Sequence, residues 1–225
     1  MSTRKVLELF YDVVSPYSWL GFEVLLRYKN IWNIDIHLRP GFLAGIISES
    51  GNAAPALIPN KGAYMFKDLE RMAEFYQVPL RLPSDFFHVV IKKGSLSAMR
   101  FVTALQMSHP EFLEGVSREL WLRIWSEDKD ITEPESILQA AKKAGIPEDL
   151  AKKLLSTITS PEIKSKLKEN TEIELAKSIK LFGMPSIVAH INDKPELFFG
   201  TDRFELLAHR LGEKWLGPVP QKSEL

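Results

Sequence analysis

The stretch from Leu7 to Leu20, LELFYDVVSPYSWL, constrains the fold more than any other part of the chain. An apolar run from Val6 to Val14 stops at Ser15-Pro16-Tyr17-Ser18. Beyond it, Trp19, Leu20, Phe22, Val24, Leu25 and Leu26 recur at the spacing of one buried helical face. A strand therefore turns directly into a helix. Pro16 suits the first helical turn, because the N–H it lacks would have no partner there, and Ser15 before it is a good N-cap residue. The Ser15 hydroxyl is expected at the positive end of a helix, where an anion would meet unpaired N–H groups, a hydroxyl donor and the helix dipole together. Capping alone would also account for a serine here.

Further along, Trp32 to Arg39 alternates apolar with polar and stops at Pro40, which suits a second strand and a βαβ unit with a parallel pair. Gly51 to Gly62, rich in Gly, Pro and Asn, reads as an ordered loop. From Ala63 to about Ile179 the pattern is helical. Lys67 to Tyr76, Leu96 to Met107, Pro110 to Trp125, Glu133 to Gly145, Glu148 to Ile158 and Glu162 to Ile179 each repeat apolar residues at three and four, with Pro147 and Pro161 as helix starts. Ser186 to Ile191, a turn at Asn192 to Pro195, and Glu196 to Gly200 form a hairpin. Thr201 or Asp202 would cap a last helix from Arg203 to Leu211, ended by Gly212, and Gly217 to Leu225 is a loose tail. The chain reads as α/β, with residues 1–60 and 180–225 forming a discontinuous sheet domain and residues 61–179 a helical insertion.

Composition narrows the function. The 225 residues carry 29 basic and 29 acidic side chains, so net charge gives no reason to expect nucleic acid or an anionic membrane as partner. Without cysteine there is no disulfide, thiolate metal site or protein thiol nucleophile, and dithiol exchange is excluded. No metal is expected. No apolar stretch reaches the ~18 residues of a membrane span, and Met1 to Lys5 is too short and polar for a secretory signal, so a soluble intracellular protein is expected. The five histidines are scattered, and no base completes a hydrolase triad with Ser15.

A βαβ half followed by ββα resembles the thioredoxin fold, and Ser15-Pro16-Tyr17-Ser18 stands where such proteins carry Cys-x-x-Cys. Met184-Pro185 stands where they carry a cis-proline, a bond affordable essentially only before proline. The helical insertion is similar to that of the disulfide oxidoreductase DsbA. At finer grain, LFYDVVSPYSWLGFE, GNAAPALIPNKG, KGSLSAMRF, SRELWLRIWSEDKDITEP and FFGTDRFELLAH resemble the kappa-class glutathione transferases, a mitochondrial and peroxisomal family.

That resemblance implies a site. Ser15 would hydrogen-bond the glutathione sulfur, with Pro16 and Tyr17 beside it. Asn52 and Pro59 would line the peptide, with Lys61 as a carboxylate partner, and the Met184 backbone before Pro185 would pair with the cysteinyl portion. Thr201 and Asp202 would hold the γ-glutamyl end. Each has an ordinary structural reading too: Asp202 as a helix cap, Asn52 as a turn residue, Lys61 as a solvated charge. The Phe and Met residues from Tyr64 to Phe87 would line an electrophile pocket or pack in the core; Leu120, Trp121, Ile124 and Trp125 read as packing, and Ser18 as structural.

The implied activity is conjugation of glutathione, as co-substrate, to a small aromatic or halogenated electrophile, with glutathione peroxidase activity as a family-typical addition. Detoxification, a homodimer and a mitochondrial or peroxisomal location come from the same resemblance. Ser223-Glu224-Leu225 departs from the peroxisomal S-K-L by an acid where the base belongs. Two alternatives stand beside it. One is a glutathione-dependent isomerase of the 2-hydroxychromene-2-carboxylate type, which recovers glutathione unchanged; the other is a non-enzymatic thioredoxin-like binding module.

Overall fold

The computed structural model describes residues 3–172, 174–175, 179–192 and 194–221. The opening stretch folds as its pattern dictates. Strand β1 (Lys5–Tyr11) leads through Asp12-Val13-Val14 into helix α1 (Pro16–Arg27), with Pro16 at its first position. Strand β2 (Ile34–Pro40) returns parallel to β1, placing Leu7 opposite Ile36 and Leu9 opposite Leu38. Alternation along β1 sends Leu7, Leu9 and Tyr11 into the main core and Phe10 into a smaller cluster on the other face, with Ile46, Leu181, Met184 and Val188.

Seven helices lie between β2 and the next strand of this sheet among the described residues: α2 (Leu43–Ser50), α3 (Pro59–Tyr76), α4 (Leu96–Ser108), α5 (Leu113–Trp125), α6 (Pro134–Lys143), α7 (Glu148–Thr157) and α8 (Pro161–Thr171). A π-helical segment, Phe87–Lys93, precedes α4. The pair β5 (Ser186–Ile191) and β6 (Lys194–Phe199) then completes a sheet of order β2-β1-β5-β6, with β5 antiparallel to β1, and α9 (Phe204–Leu211) follows.

Four expectations are corrected. Gly51 to Gly62 is not all loop: Pro55–Leu57 forms a 3-10 turn and Pro59 opens α3, because a proline at the first helical position lacks only an N–H that would be unpaired anyway. The helix expected over Glu162 to Ile179 ends at Thr171. Two short strands follow, β3 (Glu174–Leu175) and β4 (Ile179–Lys180), paired antiparallel; residues 173 and 176–178 lie outside the described residues. Strand β6 begins at Lys194, taking in Pro195, which an edge strand tolerates. Asp193 of the expected turn lies outside the described residues. Finally, Arg203 rather than Thr201 or Asp202 occupies the α9 cap position, and no side chain caps that helix.

Candidate active site

Ser15 is the N-cap of α1, with φ −89° and ψ 116°, and its Oγ accepts from the Ser18 N–H at 3.1 Å. The residue is buried, and its Oγ lies 3.5 Å from the Met184 carbonyl, long for a hydroxyl–carbonyl hydrogen bond. The hydroxyl hydrogen is thus free to turn to a better acceptor. Met184-Pro185 is a cis peptide. A Cβ on Gly21 of α1 would stand 3.2 Å from the Pro185 ring and 3.4 Å from Thr201, so glycine lets both loops close onto the helix beside Ser15. The Gly200 N–H donates to the Pro185 carbonyl at 3.0 Å, and the Tyr76 hydroxyl of α3 donates to the Thr201 carbonyl at 2.6 Å.

The structure therefore brings Ser15, Pro16, Tyr17, Met184, Pro185, Thr201 and Asp202 to one region. Because α9 starts one residue later than expected, Asp202 sits outside the cap position, from which a side chain reaches the helix N–H groups; its carboxylate is exposed and accepts only from the Arg203 guanidinium, at 2.8 Å, among the described residues. Asn52 joins through the Phe182 carbonyl, to which its amide donates at 2.8 Å. Pro59 and Lys61 stand on the first turn of α3. Lys61 is exposed, with no hydrogen bond or ion pair to a described residue, and a cation there opposes the helix dipole. Tyr17 donates its hydroxyl to Asp68 at 2.9 Å, and Tyr64 donates to the other oxygen of the same carboxylate at 3.2 Å. Burial, reinforced by Asp68, pushes the Tyr17 phenol up, so it stays a neutral donor. Ser18 is fully buried and its Oγ has no hydrogen-bond partner among the described residues. Of the apolar residues from Tyr64 to Phe87, Met65, Leu69, Tyr76 and Phe86 are core, while Tyr64, Phe75 and Phe87 are exposed.

Beneath Ser15 lie groups whose role the sequence reading missed. Asp12 is fully buried: Oδ1 accepts from the Val14 N–H at 2.9 Å, and Oδ2 accepts from the Leu43 N–H and the Ser95 hydroxyl, each at 2.9 Å. Its own carbonyl takes the Ser15 N–H at 3.0 Å. The indole N–H of Trp121 donates to the Ser15 carbonyl at 3.2 Å and that of Trp125 to the Val13 carbonyl at 3.4 Å, so both residues read as packing are also donors. One signal was available: a carboxylate inside the apolar run Val6 to Val14 is costly to bury unless hydrogen-bonded.

Burial pushes the Asp12 carboxyl up from 3.8 to about 6, against the pull of its three hydrogen bonds. The native state then binds a proton that the unfolded chain has released, so the stability due to this group falls as pH rises from about 4 to about 6. Asp12→Asn cannot titrate. Wild-type stability relative to that variant should drop across this interval in thermal melts, and a pH-independent difference would contradict the shift.

Among the described residues no histidine bonds to Ser15, no group of three or more His, Asp and Glu side chains could hold a metal, and no helix is long and apolar enough to cross a membrane.

A sheet of this order, a capped α1 and a cis-proline loop facing the cap together define a thioredoxin-like protein with helices between its halves. A family model described as a DSBA-like thioredoxin domain matches residues 6–212, and the chain belongs to that family. Glutathione S-transferase kappa 1 of Homo sapiens is 55% identical over 96% of this chain and 95% of its own length; Glutathione S-transferase kappa 1 of Caenorhabditis elegans is 34% identical over 97% of each. Within the DsbA-like family the chain belongs to the kappa-class glutathione S-transferases. A solved 2-hydroxychromene-2-carboxylate isomerase shares the fold, with a TM-score of 0.71 at 22% identity over 92% of this chain and 94% of its own.

Proposed function

We propose that this chain is a glutathione transferase that joins the glutathione thiolate to small electrophiles. The observation that carries the reading is Ser15: a buried hydroxyl at the positive end of α1, opposite the cis Met184-Pro185 bond, with no base attached to it. Such a serine donates to a thiolate; it is not activated as a nucleophile. An unperturbed thiol of pKa roughly 8.5 is only a few per cent ionised at neutral pH. Lowering that by ~2 units takes about 2.7 kcal/mol of preference for the anion. A charge-assisted hydrogen bond of ~1.5–3 kcal/mol and a helix dipole of ~0.3–1 kcal/mol supply it together. The thiolate then attacks the electrophilic carbon, forming the thioether as the leaving group departs with its electron pair.

Around that sulfur, Pro16 and Tyr17 form the rim and the Met184 backbone pairs with the cysteinyl portion. Asn52 and Pro59 line the peptide and Lys61 serves its far carboxylate, while Thr201 and the exposed Asp202 take the γ-glutamyl ammonium. Reduction of hydroperoxides, detoxification, a homodimer and a mitochondrial or peroxisomal location enter this proposal from the family. Ser223-Glu224-Leu225 lies outside the described residues.

Calorimetric titration of wild type and Ser15→Ala with glutathione at several pH values, counting released protons, tests the site. Consumption of glutathione with a chlorodinitrobenzene-type substrate supports transfer, and its full recovery supports isomerisation. Asp202→Ala should raise the KM for glutathione about 10- to 100-fold with kcat nearly unchanged, the loss of one bond to a charged group. An unchanged KM would remove Asp202 from the site.

A further inference from the structure

We propose that Asp12 is the positioning residue of this site: its carboxylate ties the loop carrying Ser15 to the starts of α2 and α4 and so holds the Ser15 hydroxyl toward the bound sulfur. The inference rests on Ser15 being the thiolate's donor.

The three donors to Asp12 come from three separate segments. The Val14 N–H belongs to the loop itself, the Leu43 N–H opens α2, and the Ser95 hydroxyl stands at the cap of α4. Neither helix has a side-chain cap of its own; Phe42 cannot offer one, and Ser95 turns its hydroxyl to Asp12 instead. The carboxylate thus serves α2 as an N-terminal anion supplied from another part of the chain. With the Asp12 carbonyl taking the Ser15 N–H and two indoles taking the Val13 and Ser15 carbonyls, the loop is held through both its donors and its acceptors.

A carboxylate is the side chain of this size that accepts from all three donors at once. Asparagine would turn an NH₂ toward one of them, leaving two donors face to face in a dry interior. Burial, with the Asp12 charge adding to it, pushes up the phenol of neighbouring Tyr11, which shares a 2.7 Å hydrogen bond with Ser117. None of the charged residues on α2 (Glu49), α4 (Arg100) or α5 (Glu114, Arg118, Glu119, Arg123) bonds to Asp12. No cation offsets this buried anion among the described residues. Its charge, three residues before Ser15, by itself opposes a neighbouring thiolate. Geometry and charge therefore act with opposite signs, and the sign of the effect identifies which one governs.

The test is ultraviolet titration of glutathione bound to the full chain, as wild type, Asp12→Asn and Ser95→Ala, with glutathione affinity measured by calorimetry. Positioning predicts that Asp12→Asn raises the bound thiol's pKa by about one unit; at pH well below the wild-type value that is about a tenfold loss of thiolate, and kcat there falls by a similar factor with affinity nearly unchanged. Ser95→Ala keeps the carboxylate and removes one of its three bonds; it should shift the pKa the same way by less. An unchanged or lowered pKa in Asp12→Asn overturns the assignment, and should that variant not fold, an unchanged titration in Ser95→Ala does so. A wild type that leaves the thiol unshifted is a separate result: it overturns the transferase reading itself, and this inference with it.

Discussion

Ser15→Ala should raise the pKa of bound glutathione by about 1–2 units and lower kcat/KM by roughly 10- to 100-fold at neutral pH, the loss of one charge-assisted hydrogen bond. The dipole of α1 remains in the variant, so some depression of the thiol persists. A serine that serves only as a cap makes a different forecast. It predicts a stability loss of about 1 kcal/mol, from the unpaired Ser18 N–H, with the thiol titration unmoved. Ultraviolet titration beside a denaturation curve reads both quantities, and an unmoved titration removes Ser15 from the chemistry. Ser15→Thr keeps the hydroxyl and should retain most of the shift.

Trp121→Ala should cost about 3–5 kcal/mol of stability, the loss for a large aromatic that leaves a hole in a fixed core. Trp121 is fully buried, with ring centroids 5.3 Å from Tyr11 and 4.8 Å from Phe22, so the cavity would open between β1, α1 and α5. Urea unfolding should show a lower midpoint. A loss below about 1 kcal/mol would mean that the neighbours close the space. Trp121→Phe separates packing from hydrogen bonding. It keeps a ring but removes the N–H donated to the Ser15 carbonyl, which still accepts the Trp19 N–H at 3.3 Å. Its cost should be nearer 1 kcal/mol beyond the lost volume, with a slight rise in the bound thiol's pKa.

How legible each feature was follows from the range of the interactions behind it. The turn from β1 into α1 was readable because its causes are adjacent in sequence: an apolar run, a capping serine and a proline at the first helical position. The helices α4 to α7 and the β5–β6 hairpin announced themselves by period. Helix α2, LAGIISES, did not, being only eight residues long, with its apolar residues in one run at the start rather than at helical spacing, and without a capping side chain. The sequence after Thr171 continues a helical rhythm that the chain abandons for a short β3–β4 pair, since strand pairing depends on a partner rather than on propensity.

For the site the division is sharper. Sequence by itself determined that a serine would cap the helix after the first strand, that no protein thiol would be present, and, through long motifs, which family the chain would join. Tertiary structure decided what surrounds that serine. Two of the three donors to Asp12 lie 31 and 83 residues away, and Trp121 reaches Ser15 across 106, so no local window contains them. Their presence follows from burial. A loop with polar backbone groups enclosed by α2, α4 and α5 must find a hydrogen-bond partner for each of them inside the protein. Only the packed chain shows which side chains supply them.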